Sequence, residues 1–183
     1  MQTITRWLAA GMVAWLVAAG ATGQERSGDA AMDSVATESL VGREVPPYPA
    51  GLDELGGTCF SAPGSGPDSR VCAYSISIHG KDMAHVTHAL VLRQVGRDGN
   101  HAVWRVLEAV ERPAIEGAAF VHLGCEPLDD GRAVVLALAR TEAAGEWYEP
   151  VHQAWAFDFE AERLDEVDAT GVRCPNEGYG YEG

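Results

Sequence analysis

Gln153–Val167 reads QAWAFDFEAERLDEV, and the reading of this stretch decides the fold. Trp155, Phe157 and Phe159 alternate with Ala154, Ala156 and Asp158. A period of two is the signature of a strand, here with an aromatic face toward a core and a small or polar face outward. A turn is expected over Glu160–Arg163, after which Leu164 and Val167 open a second apolar segment. The unit therefore reads as a β-hairpin built around three large aromatic side chains.

Working outward, the same grammar recurs. Tyr74, Ile76 and Ile78 alternate with Ser75, Ser77 and His79, a half-buried strand that Gly80-Lys81-Asp82 interrupts. Apolar residues resume from Val86 to Val95, Gly96–Asn100 supplies a hairpin connection, and Ala102–Val110 returns with Trp104, Val106 and Val110 expected on one face. Ala118–Gly124 is a further short strand. Ala133–Ala139 is apolar on every side and rich in helix formers, so helix and strand compete. The alternation of Val134, Leu136 and Leu138, between turn residues at each end, favours the strand. Short strands joined by tight polar turns predict a mainly β protein, one antiparallel meander closed as a sandwich or barrel. Trp155–Val167 also has the texture of a propeller-blade hairpin, but no repeat at blade period accompanies it. A membrane barrel is disfavoured because the strands lack a sustained lipid-facing apolar band.

The expected layout is a signal peptide over 1–21, a flexible Pro-ending arm over 22–50, the β domain over 51–175 and a Gly/Tyr tail over 176–183. Arg6, the apolar run Trp7–Ala19 and the small residues Ala19-Gly20-Ala21 form a cleavable export signal. That run is short for a membrane core of about 30 Å, which counts against an anchor and leaves no membrane insertion after cleavage. In the arm, Met32, Val35, Ala36 and Leu40 make only a weak helical stripe before Pro46-Pro47-Tyr48-Pro49. Cys59, Cys72, Cys125 and Cys174 all follow the signal, and an even count in an exported chain favours two disulfides. Three connectivities are open; the turn residues between Cys59 and Cys72 favour that pair, which leaves Cys125 for Cys174. Zinc is the competing use, but no pair has C-x-x-C spacing. The setting is then periplasmic or secreted.

The formal net charge of −14, with Lys81 the sole lysine, argues against a nucleic-acid backbone and is compatible with a basic protein partner. No catalytic constellation is convincing, and no pattern calls for a cofactor. His85 and His88 would share a helix face but lie on opposite faces of a strand, so a metal would need a recruit such as His79 or His101. Ser65 sits in a Pro-rich loop between cysteines, where a nucleophile elbow is not expected. Glu146 and Glu149 around Trp147-Tyr148 invite a glycosidase reading, which ordinary surface acidity explains equally well. Asp158, Glu160 and Glu162 resemble part of a calcium loop, yet Arg163 and Ala169 stand where its glycine and its bidentate acid belong.

Three functional classes follow. The first is a non-enzymatic binding protein of inhibitor or immunity type, meeting a basic partner at an acidic rim of Asp158, Glu160, Glu162, Asp165, Glu166 and Asp168. The second is a small-ligand binder with Trp104, Trp147, Tyr148 and Trp155 around a cleft. The third is a hydrolase using Glu146 or Glu149.

Overall fold

The computed structural model describes residues 36–62, 72–122, 124–126, 131–142 and 145–180, all within the unit Ser34–Gly183. The export signal, the start of the arm, Ser65 and Tyr181 lie outside the described residues.

The chain is mainly β and antiparallel. Strands β1 (Glu44–Val45), β2 (Asp53–Phe60), β3 (Tyr74–Gly80), β4 (Val86–Asp98) and β5 (His101–Glu111) form one sheet in the order β1-β5-β4-β3-β2. Strands β6 (Ala118–His122), β7 (Val134–Arg140), β9 (Val151–Asp158) and β10 (Arg163–Val167) form a second, ordered β10-β9-β7-β6. The short β8 (Trp147–Tyr148) pairs with β11 (Cys174–Pro175). Among the described residues neither large sheet closes on itself. The ambiguous run at Val134–Arg140 is a strand, and its apolar character on every side has a simple cause: β7 is buried on both faces.

One core is shared by the two large sheets. Ile76, Ile78, Ala89 and Val91 of the first meet Phe120, Leu136, Leu138, Trp155 and Phe157 of the second. At one end of this core Phe60 and Tyr74 stack on Phe157 and Phe159, with ring centroids 5.2–5.9 Å apart across the sheets. The aromatic face of the opening hairpin is thus interior, as its alternation requires.

Its other face departs from expectation. Ala154 and Ala156 are as buried as the aromatics, because Val172 and the Cys125–Cys174 disulfide lie in a second core with Ala154, Val134 and Ala137. Cys59 pairs with Cys72. Small side chains there read as solvent-facing in the sequence; they are small because a covalently tethered layer packs on them.

Two β-bulges also move residues between faces. The register shifts between Val91 and Leu92, so Trp104 and Val106 join the outer face of the five-stranded sheet whereas Val110 packs in the shared core. A second shift between Val134 and Leu136 sends Val134 to the disulfide side and Leu136 and Leu138 to the shared core. An inserted residue reverses the pleat, so residues an even number apart no longer share a face.

The part of the arm that is described packs against the domain. Leu40, Val45 and Leu52 are each at most 2% exposed and cover Leu90, Leu92 and Val106 on the outer face of the first sheet. β1 pairs with β5 in register Glu44↔Arg105 and Val45↔Trp104, and the Gly42 amide donates to the Val106 carbonyl at 2.8 Å. Isolated apolar anchors in a Pro- and Gly-containing segment have no period, so the sequence suggested mobility where the structure has a strap.

Candidate functional site

The acidic stretch is the hairpin β9–β10 and its flanking turns. Arg163↔Asp158, Leu164↔Phe157, Asp165↔Ala156 and Glu166↔Trp155 are cross-strand pairs, and paired residues project to the same face. Asp158 and Asp165 therefore share the face of Ala156, while Glu166 shares that of Trp155. The six carboxylates do not form one continuous rim; they are divided between the two faces of a sheet edge.

Their surroundings divide them further. Asp158 accepts from the amides of Glu160 at 2.8 Å and Ala161 at 3.0 Å, which folds the turn and lowers its pKa. Asp168 likewise accepts from the Thr170 amide at 2.9 Å, and its pKa is lowered by that bond. Asp165 pairs with Arg163 at 2.8 Å. Glu162 adopts a left-handed conformation, with φ of 52°, and aims its carboxylate at the other sheet. There Arg93 donates to one oxygen at 2.5 Å and the Tyr74 hydroxyl to the other at 3.0 Å. Arg93, with help from Tyr74, holds Glu162 below the usual carboxylate range, and burial followed by the Glu162 bond raises Tyr74. Glu162 is thus a clamp between sheets. Glu160 and Glu166 remain exposed, without a side-chain hydrogen bond or ion pair to another described residue.

Glu166 and Asp168 also line a groove of about 450 Å³ where β9 and β10 part, together with His152, Gln153 and Thr170. The arrangement presents fixed negative charge beside a recess. It offers carboxylate acceptors to a cationic side chain.

Other candidates are dispersed. Trp155 belongs to the shared core and Trp104 to the cluster under the strap, while Tyr148 packs on the disulfide core and Trp147 lies beneath the Arg173 guanidinium at 4.6 Å. These four aromatics do not line one cleft. Of them only Tyr148 borders a cavity of about 270 Å³ between Thr58, Phe120, His122 and Glu177. Glu146 and Glu149 are both exposed and border none of the cavities described here. His85 is on the surface, bonded through Nδ1 to Asp82 at 2.7 Å, whereas His88 is buried. Among the described residues no three His, Cys, Asp or Glu side chains converge on a metal position.

Two polar groups escaped sequence reasoning. Glu108 on β5 is raised in pKa by burial, against the opposing influence of Arg163 and the Leu164 amide of β10. His79 is fully buried, with Nε2 2.7 Å from Ser77 Oγ and Nδ1 3.3 Å from the Leu52 carbonyl. A carbonyl only accepts, so Nδ1 carries the proton and Ser77 donates to Nε2. That is the polarity of a nucleophile–base pair, but both residues are fully buried and neither borders the cavities above. The available signal was the polar face Ser75, Ser77, His79 opposite the unpaired anchors Leu40, Val45 and Leu52.

The fold and this edge define a class: a mainly β, antiparallel, doubly disulfide-bonded protein with an acidic hairpin at a sheet edge. No protein-family model, curated protein or solved structure matches the chain. Two disulfides fit an oxidising compartment, and among the described residues no helix is long and apolar enough to cross a membrane.

Proposed function

We propose that this is an exported, non-enzymatic binding protein that meets a basic protein partner at the β9–β10 edge, in the manner of an inhibitor or immunity protein masking a cell-wall hydrolase. The two open sheets act as a face-to-face sandwich, a rigid support for the edge, in the periplasm or outside the cell. The observation that carries the reading is the division of labour within the hairpin. Asp158, Glu162, Asp165 and Asp168 are held by the protein itself, whereas Glu160 and Glu166 are exposed and unneutralised. Glu160 at the turn and Glu166 on β10 are therefore the carboxylates left to meet a cationic partner, beside turn acids that the backbone already holds.

Single exposed ion pairs are each worth only about 0–1 kcal/mol. The patch acts in the field of a chain of net charge −14, so its main effect is on encounter rate and on selection of a positively charged face. Cell-envelope extract passed over the immobilised protein tests this. A basic protein retained at low salt and released at high salt supports the proposal. Retention no better than on a blank surface, or retention indifferent to salt, counts against it.

A further inference from the structure

We propose that His79 is an acid-sensitive latch whose protonation releases the strap over residues 40–52 from the outer face of the five-stranded sheet while the second sheet stays folded. The strap is held by two kinds of contact. Leu40, Val45 and Leu52 bury apolar surface on Leu90, Leu92 and Val106, and Gly42 and Arg43 exchange backbone hydrogen bonds with Val106 at 2.8 and 2.9 Å. Side chains add to these: Arg105 of β5 pairs with Glu44 at 2.8 Å, and a further polar attachment passes through one ring. His79 donates from Nδ1 to the Leu52 carbonyl at 3.3 Å, and the Tyr48 ring lies on it with centroids 4.7 Å apart.

The burial of that ring and its Ser77 partner are set for a neutral imidazole. Ser77 donates to Nε2, so a proton arriving there removes the acceptor and forces the hydroxyl to turn. From the strap Tyr48 faces the ring, and from β2 Glu54, whose carboxylate is already engaged by the Tyr48 hydroxyl at 3.0 Å. Burial, then Glu54, holds the Tyr48 hydroxyl well above its ordinary range, so it remains a neutral donor. From β4 the cross-strand neighbour is His88, and Glu111 of β5 stands beyond it in register. Burial is the largest influence on His79 and lowers its pKa, with His88 acting in the same sense; the Leu52 carbonyl and Glu54 oppose them.

Lifting the strap admits water to the ring, which then titrates near its ordinary value of 6.5. A group whose folded pKa is lowered in this way stabilises the closed state above its free value. That stability declines as the pH falls from the free toward the folded value, with opening favoured about tenfold per pH unit for one proton. The effect is local because the strap packs on a cluster of its own, on the outer face of the five-stranded sheet, apart from the shared core and the disulfide core.

Amide hydrogen exchange at about pH 7 and about pH 5, corrected for intrinsic rates, reads the opening directly. The hydrogen-bonded amides of Gly42, Arg43, Leu52 and Val106 are expected to lose protection about tenfold per pH unit below the free value, while β7 and β9 keep theirs. His79→Gln retains an amide donor for the Leu52 carbonyl and cannot titrate, so its strap protection is expected to be independent of pH. Unchanged protection in the wild type, an equal loss in His79→Gln, or simultaneous loss from both sheets would overturn the latch. Should the variant not fold, a wild-type NMR titration decides: His79 must titrate below its free value together with shifts of strap resonances. A titration at the free value, or one without strap shifts, would overturn it equally.

Discussion

Glu162 is the residue at which local and tertiary demands meet. A glutamate in the left-handed region is strained by comparison with glycine, and it is kept there because its carboxylate reaches Arg93 and Tyr74 on the opposite sheet. Glu162→Gln removes the charge and keeps the shape. It is expected to lower stability by about 1 kcal/mol near neutral pH, the upper part of the range for a partly exposed pair. Because Arg93 and Tyr74 depress the folded pKa of Glu162, this stabilisation is complete above its ordinary value of 4.5 and is lost as the pH falls through the folded value. Urea titrations of both proteins across that range should therefore converge on acidification. A constant difference would mean that the carboxylate charge is not what holds the turn. In the sequence Glu162 was one of six similar acids. Only the tertiary approach of β3 and β4 distinguishes it from Glu160, and nothing in the local pattern records that approach.

At the scale of elements, alternation was a reliable guide wherever the pleat runs uninterrupted. In β3 and β9 the period of two identifies the core face, with Ile76, Ile78, Trp155 and Phe157 in the shared core, but not the opposite face, where Ser75, Ser77 and His79, like Ala154 and Ala156, are buried instead of half-exposed because the strap and the disulfide core cover them. Alternation failed at the bulges, because an extra residue leaves the pattern of residue types intact and changes the face: Trp104 and Val106 separate from Val110, and Val134 from Leu136. It was silent on the strap, whose anchors Leu40, Val45 and Leu52 are too far apart to form a period. The two disulfides differ in the same element-level sense. Cys125–Cys174 spans 49 positions and lies in a core, whereas Cys59–Cys72 spans 13 and joins the edge strand β2 to the chain entering β3. Chain entropy alone gives about 4 kcal/mol for the longer loop and about 3 kcal/mol for the shorter. Paired Cys→Ala variants compared by thermal or urea unfolding should rank in that order, with the Cys125/Cys174 variant further weakened by loss of its packing. Equal or reversed losses would contradict the assignment of that disulfide to a core.

For the molecule as a whole, class and charge were legible early, and the candidate site only in part. The hairpin and its carboxylates were read from one stretch, but their separation into structural and free acids depends on Arg93, Arg163 and the turn amides, which folding brings to them. The groove bordered by Glu166 and Asp168 exists only because β9 and β10 part at that end. The central claim is that the free acids of this edge, and not acidity in general, receive the partner. It is tested most directly by repeating the low-salt capture with two charge-matched variants, Glu160→Gln/Glu166→Gln on the hairpin and Glu146→Gln/Glu149→Gln on the exposed segment around β8. Each removes two negative charges. The account predicts that the basic protein is lost from the hairpin variant and retained by the β8 variant; equal retention by both, or equal loss from both, would contradict it.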